Sequence, residues 1–247
     1  MPEVDLLDRV APARFSARLA NGGIELKYPR GGKPNLSMVL GGTGARLEDL
    51  VGAFAAFNRD GLAGRVRYTE ADPLIERRML SPGAAWILRE VLQSNPRPGY
   101  GSGTFDVGSR PRVAWKTGTS YGFRDAWSIG VGPRYLIGVW IGRPDGTPVP
   151  GQFGLASAAP LMLQVHDLLS NRDSQRGISV PVAPVPANIG VAAICWPLGQ
   201  PMSKQDTNCR RQRFAWTLDG TTPPTLQAAD QPLGLGLREK VWVNEQG

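Results

Sequence analysis

An α+β domain followed by a small, partial all-β module is the fold class this sequence predicts. Helical periodicity dominates the first ninety or so residues. From Arg112 the texture changes to consecutive strand-like runs joined by a tight turn. A stretch rich in proline and valine, Val180-Pro181-Val182-Ala183-Pro184-Val185-Pro186, then separates this part from a tail of short strand-like runs. Helices followed by sequential strands indicate an α+β arrangement rather than a wound parallel sheet.

The elements follow in chain order. Residues Pro2–Leu19 read as one helix, because Val4, Leu6, Leu7, Val10, Phe15 and Leu19 recur at three- and four-residue steps before Asn21-Gly22-Gly23 stops the run. After a Pro/Gly loop at 28–34, the segment Leu36–Gly42 leads into a helix with the apolar stripe Leu47, Leu50, Val51, Phe54 and Phe57. Asn58-Arg59-Asp60-Gly61 ends that helix. Ser81-Pro82 starts another, with serine as cap and proline in the first turn, and Ala85, Ile87, Leu88, Val91 and Leu92 as its apolar face. Val113–Thr119 reads as a strand. Ala126–Val131 and Tyr135–Ile141 form a hairpin across Gly132-Pro133-Arg134, and a last helix covers about Ala156–Leu169. The domain division expected from this is 1–170, a stiff linker at 171–190, and a β module at 191–247 with turns at Gly220 and Pro223-Pro224.

Composition excludes several classes. With 41% apolar residues spread over 247 positions the chain is not globally disordered. Its longest apolar runs, Val51–Phe57 and Leu136–Ile141, fall far short of the ~20 residues needed to cross hydrocarbon. The net charge of +7 comes from 23 Arg and 5 Lys against 21 acidic residues. Such a surface suits nucleic acid, an anionic membrane or a wall polymer, or merely reflects Arg-rich coding. The charge is scattered, with one dense cluster at Arg210, Arg211 and Arg213, and no basic-aromatic interleaving, so no nucleic-acid partner is expected. One histidine, His166, and two cysteines, Cys195 and Cys209, are too few for a four-ligand zinc site, and no metal or cofactor is expected. The cysteines are either free thiols in a reducing compartment or a disulfide in an oxidising one.

The sharpest chemical signal is Lys116-Thr117-Gly118-Thr119-Ser120 on the first predicted strand. Lys-Thr-Gly is one of three motifs of penicillin-recognising serine acyl enzymes. The residue types suit that chemistry. A strand lysine supplies fixed positive charge for a terminal carboxylate, and the hydroxyls of Thr117, Thr119 and Ser120 can donate to it. Gly118 lets substrate backbone lie against the strand. The Thr119 N–H is a candidate oxyanion donor, a group whose loss typically costs ~3 kcal/mol.

The wider sequence resembles the C-terminal part of the transpeptidase domain of bifunctional class A penicillin-binding proteins. The resemblance runs over residues 1–170 through Asn35–Gly42, Leu47-Glu48-Asp49-Leu50, Ala55–Gly61, Ser81–Ile87, the Lys116–Ser120 block, Tyr121–Trp127 and Trp140–Gly146. From about 191 the chain looks like the start of an extra C-terminal module of that family, through Ile194–Gly199 and Asn208-Cys209-Arg210-Arg211. The resemblance implies a β-lactamase-like transpeptidase fold and peptidoglycan synthesis at the periplasmic face of the inner membrane. It further implies serine acyl transfer between stem peptides ending in D-Ala-D-Ala, inhibition by β-lactams, and an upstream glycosyltransferase domain and anchor in the parent protein. It also implies that Cys195 and Cys209 pair.

The family needs a serine nucleophile in Ser-x-x-Lys and a Ser-x-Asn motif. No serine here has lysine three positions on, and none has asparagine two positions on. The chain is therefore expected to lie just downstream of those motifs, to end inside the C-terminal module, to carry no nucleophile and to be inactive alone. A non-catalytic wall-peptide-binding or structural remnant is the alternative. An uncovered sheet face is also expected, where the nucleophile-bearing helix would pack. His166 is expected at the surface or cleft rim, Arg124 and Asp125 as a structural pair, and Tyr121 and Phe123 either on the cleft wall or in the core.

Overall fold

A computed structural model describes residues 2–98, 112–179, 184–195, 200–201 and 212–222. The chain divides into two compact units, Met1–Pro184 and Val185–Gly247.

In the first unit the predicted single N-terminal helix is two: α1 (Pro2–Val10) and α2 (Pro12–Asn21). Proline disfavours helical backbone in the residue before it, and Ala11 accordingly swings to φ 71° ahead of Pro12. Leu36–Leu40 form a short 3-10 turn whose entry is capped by Asn35 Oδ1, which accepts from the Ser37 amide at 2.9 Å. Helix α3 (Leu47–Phe54) continues as a 3-10 turn to Phe57. A two-stranded hairpin, β1 (Leu62–Gly64) and β2 (Glu76–Arg78), follows; its strands are three residues each, and β2 carries two arginines, so there is too little alternation to be read from sequence. Helix α4 (Pro82–Gln93) is capped as expected, the Ala84 amide donating to Ser81 Oγ at 3.2 Å. Its buried face is Ala85, Trp86 and Arg89, while Leu88 and Val91 are exposed. The apolar count pointed to one face and the volume of Trp86 selected another.

The centre of the unit is an antiparallel sheet of β3 (Ala114–Thr119), β4 (Asp125–Val131) and β5 (Leu136–Gly142), in the order β3-β4-β5. One face is packed. A π-turn at Gly154–Ala158 leads into α5 (Ala159–Gln175), whose Ala159, Met162 and Leu163 form the core with Val113, Trp115 and Ile137. Helix α5 thus extends through residues 171–175, which the sequence reading gave to the linker. The opposite face is covered unevenly. On β5, α3 lays Leu47 and Val51 against Gly138. Along β3 and β4 the same face borders an open cleft of about 990 Å³, walled on its far side by Leu7, Phe15 and Leu19 of α1 and α2.

His166 is not at a surface: it is 1% exposed on α5, against Gly132. Its Nδ1 lies 3.5 Å from Asp167 Oδ1, and its Nε2 has no hydrogen-bond partner among the described residues. Burial pushes its pKa down, against the opposing pull of Asp167. The histidine therefore rests neutral inside the fold. Asp167 in turn takes both guanidinium nitrogens of Arg97, at 2.7 and 3.0 Å. Burial alone would raise its carboxyl pKa, but Arg97 and His166 outweigh it and hold it low.

In the second unit, β6 (Ile189–Cys195) is the central strand of an antiparallel sheet in the order β7-β6-β8, with β7 at Gln200–Pro201 and β8 at Gln212–Leu218. Gly220 makes the expected turn, at φ 71°. Trp196, Cys209, Arg210, Arg211, Pro223, Pro224 and Trp242 lie outside the described residues. Among the described residues no helix is long and apolar enough to cross a membrane.

The buried neutral histidine sets the direction of a pH effect. In the unfolded chain His166 protonates at about 6.5, whereas in the fold its pKa lies lower. Stability is then complete above the unfolded value and falls as the pH drops through it, until the folded pKa is reached. Urea unfolding between pH 7.5 and 5.5 should show this loss, and His166→Phe should flatten the profile over that range. An unchanged profile in the variant would place the titration elsewhere.

Candidate active-site strand

Strand β3 is held from behind and open in front. Trp115 is buried in the core and fixes the strand's roll. Side chains alternate across a strand, so Lys116 and Gly118 turn to the cleft face, level with their register partners Ile129 and Trp127. The Ser120 amide donates to Asp125 O at 3.0 Å, which marks 120/125 as a hydrogen-bonded pair. By the two-residue alternation of an antiparallel ladder, Gly118/Trp127 and Lys116/Ile129 are hydrogen-bonded pairs too. The intervening residues, Thr117 and Thr119, aim their N–H groups away from β4. Among the described strands none pairs on that side.

The rest of this edge is mostly occupied. Asn95, just past α4, donates its side-chain amide to Trp115 O at 2.8 Å. Lys116 Nζ donates to Thr117 O at 2.6 Å and has no carboxylate partner among the described residues. What remains is two outward N–H donors, the Thr119 carbonyl and an exposed ammonium, a set in which donors predominate.

The hydroxyls differ in availability. Thr119 Oγ1 accepts from the Gly154 amide at 3.0 Å, which leaves its proton to donate. A side chain at Gly154 would run into Gly118 O and Trp127 O, at 2.5 and 2.6 Å, so glycine is what allows the π-turn to come this close. Ser120 is locked instead. Its Oγ donates to Asp125 Oδ2 at 2.8 Å and accepts from the Asp125 amide at 2.9 Å. The second carboxylate oxygen of Asp125 takes the Trp140 indole N–H at 2.8 Å. The expected Arg124–Asp125 pair is therefore replaced by a Ser120–Asp125–Trp140 network, which closes the turn after β3.

Tyr121, at the tip of that turn, is 89% exposed rather than in the core. Phe123 packs edge-on against Phe153 with ring centroids 5.0 Å apart. The structure thus brings Lys116, Thr117, Gly118, Thr119 and Ser120 to one cleft wall and leaves His166 out of it. Asn95 and Gly154, which shape this wall, were missed, since nothing in their local sequence distinguishes them from ordinary turn residues; Asp125 was singled out, but with Arg124 as its partner. Of the two cysteines, Cys195 ends β6.

Comparison with known proteins gives concordant results. Residues 188–217 match the family model described as the penicillin-binding protein 1C linker domain. Penicillin-binding protein 1C of Escherichia coli strain K12 is 48% identical over 250 residues, covering 100% of this chain and 31% of that protein. Penicillin-binding protein 1A of Clostridium tetani is 26% identical over 148 residues, 59% of this chain and 18% of that protein. The crystal structure of penicillin-binding protein 1A from Haemophilus influenzae superposes with a TM-score of 0.64 at 15% identity, over 92% of this chain and 39% of that one; at this identity it speaks for the fold alone. The chain spans about a third of the length of the curated relative that it matches throughout. It belongs to the penicillin-binding proteins and corresponds to a stretch of the 1C type, made up of part of an α+β transpeptidase-like domain and the linker-domain strands that follow it.

Proposed function

We propose that this chain serves peptidoglycan synthesis by supplying the substrate-recognition edge of a serine DD-transpeptidase. The observation that carries the reading is the pairing of an ammonium with no acidic partner among the described residues, Lys116, with the outward N–H groups of Thr117 and Thr119 at the mouth of a cleft. Lys116 and the Thr117 and Thr119 hydroxyls receive the terminal carboxylate of a D-Ala-D-Ala stem peptide, or the carboxylate of a β-lactam. Gly118 lets the peptide backbone approach, and the Thr119 N–H stabilises the oxyanion. Ser120, with its proton committed to Asp125, contributes by holding the turn. No metal or cofactor enters this scheme.

The attacking oxygen comes from elsewhere in the parent protein, because no serine here stands in Ser-x-x-Lys and an unactivated serine is a poor nucleophile. The chain alone therefore binds without reacting. In the parent, with its glycosyltransferase domain, the reaction takes place at the periplasmic face of the inner membrane, and the domain plan is 1–170, 171–190 and 191–247. In that oxidising compartment Cys195 and Cys209 pair, closing a loop worth about 3 kcal/mol on the chain-entropy model.

Three measurements test this reading. The chain should bind a D-Ala-D-Ala-terminated peptide reversibly, and Lys116→Ala should weaken that binding about tenfold, the scale of one charge-assisted hydrogen bond. Fluorescent penicillin should leave no covalent band on a denaturing gel. An unchanged affinity in the variant would remove Lys116 from the site, and a covalent band would show that the chain holds its own nucleophile. Intact mass of the exported protein should rise by two hydrogens on reduction; no change would mean free thiols.

A further inference from the structure

The cleft in front of β3 has more room and more apolar wall than a peptide carboxylate needs. Its floor is the face of β3 and β4 on which Lys116 and Gly118 lie level with Ile129 and Trp127. Helices α1 and α2 form the far wall, and α3 adds Phe54. Apolar lining is ordinary at the bottom of a cleft, but here it reaches the mouth, where Leu6 is 62% and Leu40 43% exposed. At about 990 Å³ the space lies at the upper end of the range of small-molecule sites. Contiguous apolar surface of this extent marks a contact site.

Charge narrows what the cleft can take. Among the described residues that line it, the charged side chains are Glu3, Lys116 and Asp125. Asp125 is committed, since its oxygens hold the Ser120 hydroxyl and the Trp140 indole. Lys116 is then the one cation of the lining. Its ammonium has three protons, one of which goes to Thr117 O, and the outward N–H groups of Thr117 and Thr119 stand beside it. That is a seat for one compact anion. Glu3 and Asp125 oppose a second negative charge in the same space. An extended peptide would bring backbone N–H and C=O groups that apolar walls leave unsatisfied. One anion seat in a mainly aliphatic and aromatic cleft is complementary to a mono-acid with a long apolar tail.

We infer that the cleft binds a long-chain fatty acid, its carboxylate on Lys116 and the β3 edge and its alkyl chain against Trp127, Ile129 and Phe54. The inference shares Lys116 with the recognition reading above but goes beyond it, because it needs neither a stem peptide nor a nucleophile. Binding is non-covalent.

The test uses the full chain and decanoate below its micelle concentration. Calorimetric titration should show saturable binding, with affinity rising from octanoate to decanoate by up to about fourfold per buried methylene. Decanol has the tail without the charge and should bind about tenfold more weakly, the scale of one charge-assisted hydrogen bond. Lys116→Ala should abolish that difference. Leu6→Ser, at an exposed position, should weaken both ligands. The melting temperature should rise with decanoate, because a ligand of the folded chain stabilises it. No saturable binding, or equal affinity for decanoate and decanol in the wild-type chain, overturns the inference. So does a lowered melting temperature, the mark of attachment to unfolded chain. A dimer that Leu6→Ser dissolves and decanoate does not would also overturn it, since a second copy would then close the cleft. If decanoate binds through Lys116 and D-Ala-D-Ala peptide does not bind, the fatty-acid site stands and the recognition reading falls; if only the peptide binds, the reverse holds.

Discussion

The burial of Trp115 governs the whole cleft wall. A strand has two faces in strict alternation, so fixing one residue fixes all the others. With Trp115 in the core beside Met162 and Leu163, Lys116 has nowhere to go but the cleft, and the N–H groups of Thr117 and Thr119 turn to the open edge. A one-residue slip would bury the ammonium and aim the tryptophan at solvent. Several kcal/mol of desolvation and lost apolar burial oppose that slip, so the orientation of the strand is secured by the core and not by contacts along the cleft.

Backbone features were legible in the sequence where they follow from local chemistry. Ser81-Pro82 announces its helix start because both residues act within one turn. The hairpin of β4 and β5 follows from alternation around Gly132-Pro133-Arg134. The Lys116–Thr119 strand was readable for the same reason, since its motif and its alternation coincide. The helix break at Ala11 was also written in Pro12, but a hydrophobic period that continues across the proline masks it.

What stayed hidden depends on partners distant in sequence. Asp125 looks like a mate for its neighbour Arg124, yet it bonds Ser120 and Trp140, five and fifteen residues away. His166 reads as polar and hence superficial; its burial is set by a glycine thirty-four positions earlier, at the turn of the hairpin. The π-turn amide of Gly154 on Thr119 is likewise a product of how α5 docks, which no window of local sequence contains.

A free strand edge is a hazard as well as a tool, because unpaired N–H and C=O groups invite any passing strand. On β3 most of that edge is already spoken for. Asn95 holds Trp115 O, Lys116 holds Thr117 O, and the charge of Lys116 stands beside the gap. With Trp115 O and Thr117 O already taken, a neighbouring strand, which offers donors and acceptors in turn, meets a ladder that is only partly free. A carboxylate or an oxyanion needs no such ladder. The same charge and side-chain contacts that keep the edge from recruiting a strand leave it suited to an anionic acceptor.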